Sequence, residues 1–409
     1  MARRNGGFVG QDGLDAPDPP TGITPTAGNA EVSVAFTAPS DVGTSALTGF
    51  VVQVSTDDTA YSAGSNTGTS SPIVVSSLTN GTAATAKVWA INAYGTSAPS
   101  AASASFSPVG TKGVIGGGYN SSNAAQNVLE IIVVATTGNA SDFGDLTVAR
   151  GYLFNGQLAS ATRGIFAGGQ NASNAFENTI DYITIASAGN ATDFGNLAAA
   201  TLGGSSVSNA TRGVFITGYA SNYVNTIQYV TIANTGNTTD FGDVAETAYG
   251  NSGFSSTTRG VSGSNATGGS EAASNKIEYI TIASTGNGSD FGDLTLARKN
   301  GAGLGNNTRG LFGGGFASAH SNVIDYVTIA STGNATDFGD MAAEVYNNAG
   351  VSSPTRGVFS GGQNQSAGSV NSMEYVTIAN TGNTTDFGDL TARQYILGGT
   401  SNGHGGIAA

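Results

Sequence analysis

The chain has 409 residues, 62 of them Gly, and a charged fraction of only 10%, so it is long enough for two or three cores and favours short strands joined by tight turns over helices. A formal charge of -13, with just 14 evenly spread Lys and Arg residues, disfavours nucleic acid and anionic membrane surfaces as partners. The absence of Cys excludes disulfides, a thiolate nucleophile and a zinc–thiolate site, and no run approaches the ~20 apolar residues needed to cross a bilayer.

In chain order, residues 1–14 begin MARRNGGFVGQDG, with basic residues but no apolar segment behind them. This reads as a leader rather than a secretory signal, and it is expected to anchor the chain on another protein. Residues 15–108 carry PDPPTG at Pro17, EVSVAFTAP at Glu31, GFVVQVS at Gly49, SLTNGT at Ser77 and KVWAINAYGTSAPS at Lys87. Their alternation and spacing suit about seven short strands in a sandwich. These stretches resemble a fibronectin type III domain. Phe36 stands where that family commonly has Trp, and Ala84 where it has a corner Tyr.

From residue 111 the chain repeats itself. Thr-Arg-Gly begins at Thr162, Thr211, Thr258, Thr308 and Thr355, with Thr-Lys-Gly at Thr111, at intervals of 51, 49, 47, 50 and 47 residues. Six copies of a unit of about fifty residues have the period of kelch blades. Each copy runs in one order: a short apolar strand ending in a Gly pair (TRGIFAGGQ at Thr162), a variable polar loop, and an alternating strand (NTIDYITIAS from Asn178). A Gly-Asn turn and TDFGD or a near relative follow. The stretch from one TDFGD to the next Thr-Arg-Gly supplies a fourth strand, and four strands make a propeller blade.

The unit resembles a divergent kelch repeat over residues 111–403. In that resemblance Arg150, Arg298 and Arg393 lead first strands. Gly168-Gly169, Gly314-Gly315 and Gly361-Gly362 end second strands, and Tyr182, Tyr229, Tyr279, Tyr326 and Tyr375 sit on third strands. Phe194, Phe241, Phe291, Phe338 and Phe387 replace the usual Trp of the fourth. Residues 111–148 lack a first strand, whereas TARQYILGGTSN from Thr391 offers only a first strand. The expected fold is therefore all-β: a fibronectin-III-like sandwich plus a six-bladed kelch-like β-propeller over 111–409, closed by pairing of the last strand with the first repeat.

Candidate chemistry is sparse. A copper-oxidase-like site needs imidazoles and a Cys crosslink, but the chain has only His320 and His404 and no Cys. A sialidase-like arginine cluster needs different positions converging on one centre, whereas Arg163, Arg212, Arg259, Arg309 and Arg356 recur at one equivalent position. The D-F-G-D pairs (Asp142/Asp145, Asp240/Asp243, Asp290/Asp293, Asp337/Asp340, Asp386/Asp389) could hold Ca²⁺, yet each offers two carboxylates where six to eight oxygens are wanted, and Asn196 breaks the series. The expectation is a non-enzymatic protein with no catalytic residue, metal or cofactor. Sequons at Asn139, Asn171, Asn190, Asn237, Asn287, Asn334 and Asn383 are read mainly as Gly-Asn turn chemistry.

The loop after the Gly pair varies while the scaffold does not, as a recognition surface would. Candidate ligand-binding residues there are Tyr119, Asn120, Gln170, Asn171, Tyr219, Tyr223, Phe316, His320, Gln363 and Asn364. Polar and aromatic tips of this kind suit glycans; plain solvated loops are the bland alternative. The GGFVG-type leader, the sandwich and the Gly/Asn/Thr-rich repeats together resemble virion proteins of tailed bacteriophages, especially marine ones. That resemblance implies a structural protein of the particle, on head or tail, held to other virion proteins by its N-terminal part within a larger assembly and displaying the propeller to host-surface glycan. A bacterial surface adhesin and a glycan-processing enzyme are the alternatives, and neither nucleic acid nor membrane insertion is expected.

Overall fold

A computed structural model describes residues 14–268 and 272–407. The described residues are all-β, without an α-helix. Apart from Leu14, the leader assigned to residues 1–14 lies outside them. Contacts divide the chain between Gly110 and Thr111 into two compact units.

In the first unit, Thr21–Gly28, Glu31–Thr37 and Ile73–Ser76 form one antiparallel sheet, and Gly64–Gly68, Leu47–Ser55, Thr85–Asn92 and Gly95–Thr96 form another. Alternation makes both possible. Val32, Val34 and Phe36 from one sheet and Phe50, Val52, Val54, Ala86, Val88 and Ala90 from the other share a single core. Phe36 meets Phe50 at 4.8 Å between ring centroids. Ser97, Ser100 and Ser103, spaced by three, run along the edge of Thr85–Asn92. Each Oγ accepts the N–H of Ala90, Val88 or Ala86, and each backbone N–H donates to the carbonyl of that same residue. This serine ladder covers an edge that would otherwise be open to another strand.

Among the described residues, the second unit has six principal antiparallel sheets, numbered here in chain order, and three short ribbons of two or three strands beside them. In the fourth, Ser252–Ser255, Arg259–Gly263, Lys276–Thr281 and Ser289–Asp293 pair in chain order, and the fifth and sixth repeat this with Ala302–Gly305 and Ala349–Ser352 leading. The third, led by Ser205–Ser208, continues beyond four strands. The first sheet takes its leading strand from the chain end: Gly398–Ser401 pairs with Lys112–Gly116, Gly398 opposite Gly116 and Ser401 opposite Gly113. In the second, residues 155–159 approach Arg163–Ala167 through an Ala159–Gly164 bridge and the N–H of Ile165 donating to Leu158 O.

One hydrophobic cluster lies between each sheet and the next, and another between the sixth and the first, where Val351, Val358 and Phe387 meet Ile115, Ile132 and Val134. The fourth-strand Phe residues anchor these clusters; Phe194, Phe241, Phe291, Phe338 and Phe387 stand edge-on to the third-strand tyrosines at about 6 Å. Hydrogen bonds follow the same succession. Gly189, Gly236, Gly286, Gly333 and Gly382 donate to the Phe carbonyl of the preceding sheet, and Gly138 of the first sheet donates to Phe387 of the sixth.

The Thr-Arg-Gly arginines join the sheets at a second level. Each guanidinium lies 4.2 to 4.5 Å over the third-strand Tyr of its own sheet. Each also donates to a carbonyl of the following sheet: Ile232, Ile282, Ile329 and Ile378, and, from Arg356 back to the first sheet, Val134 and Ala135. The Gly-Asn turns do likewise: Oδ1 of Asn139, Asn190, Asn237, Asn287, Asn334 and Asn383 accepts the N–H of the last residue of the neighbouring DFGD or DFGN strand.

Two arginines depart from repetition. Arg150 and Arg298 are fully buried in ion pairs with Asp181 at 2.9 Å and Asp325 at 2.8 Å. Arg393, aligned with them by sequence, is exposed; Gln394 takes the buried place, its N–H donating to Val370 O as Arg150 and Arg298 donate to Gln126 and Ser274. Arg150 and Arg298 lie five residues beyond the last Asp of DFGD and Arg393 only four, so the register falls on the Gln.

Candidate functional site

Just before the leading strand of each sheet, one residue takes the left-handed backbone conformation: Tyr152, Gly203, Gly250, Asn300, Asn347 and Ile396, with φ from 55° to 70°. Gly and Asn suit this region; Tyr and Ile are strained in it. These residues form a hydrogen-bonded chain. Gly203 donates to Tyr152 O, Gly250 to Gly203 O, Asn300 to Gly250 O, Asn347 to Asn300 O and Ile396 to Asn347 O, at 2.7 to 2.9 Å.

Immediately before the left-handed position stand Leu202, Tyr249, Lys299, Tyr346 and Tyr395. The residues that follow the Gly pair are brought up beside them: Tyr119, Gln170, Tyr219, Phe316 and Gln363. The result is an aromatic basin. Tyr395, Tyr119, Tyr152 and Tyr249 follow one another at 5.9 to 6.4 Å, and Tyr219, Tyr223 and Phe176 continue from Tyr249. Phe316, His320 and Tyr346 form a second group, with His320 4.5 Å from Tyr346.

Two recesses flank Tyr152 and Tyr249, which line both. One, of about 430 Å³, is bounded by Gln170, Phe176, Leu202, Tyr219 and Tyr223. The other, of about 580 Å³, is bounded by Asn123, Lys299, Asn300, Phe316, Tyr346, Asn347, Gln363, Tyr395 and Ile396. Burial pushes the Tyr119 hydroxyl up to about 12, with Tyr152 and Tyr395 adding to the shift, and burial also raises Tyr346 and Tyr395. These phenols are therefore protonated at neutral pH. Tyr119 donates to Gln170 Oε1 at 3.1 Å, and Tyr395 to Asn123 Oδ1 at 2.6 Å. Burial lowers His320, opposed by the Glu344 carboxylate, which favours the neutral imidazole.

The ten residues singled out from sequence thus divide. Tyr119, Gln170, Tyr219, Tyr223, Phe316, His320 and Gln363 take part in the basin. Asn120, Asn171 and Asn364 instead fold their own loops: Oδ1 accepts the N–H groups of Ser122 and Ala124, of Ser173 and Ala175, and of Ser366 and Ala367. Sequence reasoning passed over Tyr152, Phe176, Tyr249, Lys299, Tyr346 and Tyr395. A signal existed, because Tyr249, Tyr346 and Tyr395 occupy one repeat position, each six residues beyond the last Asp of DFGD and three before SGFS, AGVS or GGTS.

The floor of the basin is closed. Residues 152–159 carry two more residues than 203–208, and the extra length carries Asn155 from the second sheet to the fifth and sixth, where its Nδ2 donates to Gly301 O and Asn348 O, both at 3.1 Å. Gln157 Oε1 accepts from Ser352 and Ser401 Oγ at 2.8 and 3.1 Å. From the other side the chain end enters. Residues 401–407 are buried, Gly405 donates to Gly305 O, and Ile407 joins the cluster between the first and second sheets. His404 Nδ1 accepts the N–H of Gly406 at 3.1 Å, which leaves the proton on Nε2, 3.2 Å from Ser208 Oγ. Complete burial pushes His404 down to about 4.

Among the described residues no three His, Asp or Glu side chains gather as a metal-binding group. The basin offers tilted and edge-on aromatic rings, phenolic hydroxyls and carboxamides. Such a surface can hold a polar ligand with apolar faces by stacking and hydrogen bonds. Comparison of the chain with protein-family models and with curated proteins finds no match.

Proposed function

We propose that this is a non-enzymatic saccharide-binding protein in which a fibronectin-III-like sandwich precedes a six-bladed kelch-like β-propeller, and that the aromatic basin is the binding site. The cyclic order of sheet-to-sheet hydrogen bonds, with Arg356 and Gly138 linking the sixth sheet and the first, supports the propeller reading. The observation that carries the function is the basin itself: eight or more rings, contributed by different repeats, face two recesses large enough for sugar rings. A sugar presents a patch of C–H groups to a Tyr face and hydroxyls to the amides around it.

The sequence resemblance to tailed-phage virion proteins gives this chemistry a setting. The protein is a structural component of the particle, tail fibre or head decoration, held by its N-terminal part and presenting the basin to host-surface glycan. Full-length protein applied to a glycan array and to candidate host cells tests the binding reading. Saturable binding, competed by the free sugar and lost in a Tyr219→Ala/Tyr249→Ala variant whose thermal unfolding is unchanged, is expected. Absence of saturable binding to any saccharide or cell overturns it. Mass spectrometry of purified particles from such a host tests the setting.

A further inference from the structure

We infer that the junction between the third and fourth sheets carries a second binding site, outside the basin and independent of the saccharide reading, that takes a guanidinium cation against the Glu278 carboxylate. The ground is a comparison of one place in several junctions. Five residues beyond the last Asp of DFGD in the first and fourth sheets stand Arg150 and Arg298, each buried against a third-strand carboxylate, Asp181 or Asp325. At the same place in the third sheet stands Ala248. Ala248 pairs with Thr267 as Arg150 pairs with Asn171, so the backbone keeps its register and only the side chain is cut back to a methyl. A cavity of about 240 Å³ lies there, lined by Ala248, Asn265 and Glu278 among others.

Glu278 also lacks the hydroxyl that the other carboxylates of this position share. Asp181 and Asp325 accept from Thr147 and Thr295 Oγ1, Glu130 from Thr391 Oγ1 and Glu374 from Thr384 Oγ1. Around Glu278 the corresponding residues are Ala245 and Gly288, and Glu278 Oε1 accepts the backbone N–H of Ala245 at 3.1 Å. Lys276, the one cation of the lining, is taken up by Glu246 in an ion pair about half exposed to solvent. Burial raises the Glu278 carboxyl, and Glu246 and Asp290 add to the shift, so a cation placed beside it would relieve both effects.

Asn265 is the second observation. It replaces the second Gly of the pair, Gly169 or Gly315 elsewhere, and is only 5% exposed. A Cβ at Gly169 would lie 3.6 Å from Arg150 Cδ, and one at Gly315 would lie 3.3 Å from Arg298 Cδ. The Asn265 side chain is therefore directed at the space that an arginine stem fills in those junctions. Its Oδ1 is buried without a hydrogen-bond partner among the described residues. An acceptor without a donor, beside a carboxylate without a cation, calls for a charged group that only donates, and guanidinium presents nothing but N–H donors in a planar fork that matches a carboxylate. The carboxylates here do not gather as a metal-binding group among the described residues, which suits a broad planar cation rather than a metal ion.

The test is calorimetric titration of the full-length protein with two probes, each beside its neutral urea counterpart. Butylguanidinium, beside butylurea, represents a free small molecule; Nα-acetyl-argininamide, beside Nα-acetyl-citrullinamide, represents an arginine side chain of a partner protein. Saturable binding at least about tenfold tighter for the guanidinium form is expected. Glu278→Gln is expected to abolish that preference, and Ala248→Arg, which fills the cavity from within as Arg150 and Arg298 fill theirs, to abolish binding of both probes. Binding of butylguanidinium alone supports the site and assigns it to a small molecule; binding of Nα-acetyl-argininamide as well supports it and assigns it to a partner's arginine. No saturable binding of either probe, equal binding of guanidinium and urea forms, or a preference that survives Glu278→Gln overturns the inference and leaves the saccharide reading untouched.

Discussion

The two levels of the repeated unit behave differently. Along the fourth-strand edge, the sheets repeat the same devices: the Phe under a Tyr (in the first sheet Ile131 takes the Tyr position), the Gly-Asn turn capping the neighbouring strand, and, at the second strand, an Arg or Lys reaching a carbonyl of the next sheet. At the basin, the equivalent positions hold Leu202, Tyr249, Lys299, Tyr346 and Tyr395, and the left-handed residue before each leading strand is Gly, Asn, Tyr or Ile. Repetition marks what every sheet needs in order to pack on its neighbour. Departure from repetition marks what the molecule needs only once.

The largest expected effect comes from a departure. Arg298→Ala leaves Asp325 buried without its cation and should destabilise the second unit by about 3–5 kcal/mol in urea unfolding. Gln394→Ala, at the same place in the last repeat, removes no charge and should cost about 1 kcal/mol. Equal costs would break the distinction between the two kinds of position.

A smaller effect sits at the chain end. The folded-state value of His404 is depressed to about 4, whereas a free imidazole titrates near ~6.5, so the unfolded chain binds the proton first as pH falls. The contribution of the neutral, buried imidazole is complete above ~6.5 and is lost as pH falls toward about 4, in all up to about 3 kcal/mol. Wild type minus His404→Gln, followed by thermal unfolding from pH 7.5 to 4, isolates this slope from that of the carboxylates. A flat difference would mean that His404 is not enclosed as described.

The smallest effect belongs to the repeated edge. Arg163→Gln, Arg212→Gln and Arg259→Gln each remove a cation–π contact and a hydrogen bond to the next sheet, worth about 1–2 kcal/mol in guanidinium unfolding. The three losses should agree within about 0.5 kcal/mol, since uniformity is what repetition implies. A wide spread would sharpen the comparison by showing that some sheet junctions do more than join.

Much of the strand succession was legible because the apolar alternation and the Gly pairs are local signals that recur at a fixed period. The pairing of Gly398–Ser401 with Lys112–Gly116 could be expected from counting strands alone. Arg393 was misaligned because an Arg was matched to an Arg, although the distance from DFGD shows that Gln394 takes the buried position. The loop asparagines looked like ligand groups, yet a carboxamide two residues before a loop N–H closes an Asx turn more readily than it waits for a ligand. Half of the basin was hidden for a different reason: Tyr249, Tyr346 and Tyr395 lie outside the variable loops, at the foot of the leading strands, and only three-dimensional convergence brings them beside Tyr119 and Phe316. Nothing local marks SNGHGGI as a buried segment, since its enclosure depends on all the leading strands at once.

The most direct test of the account separates the two levels in one binding experiment with the full-length protein and the saccharide that the wild type selects. Tyr219→Ala/Tyr249→Ala alters the basin; Asp193→Ala/Asp386→Ala alters exposed positions of the repeated edge. The account predicts at least about a tenfold loss of affinity for the first pair and none for the second, with both variants folded. Equal losses, or a loss confined to the edge variant, would contradict it.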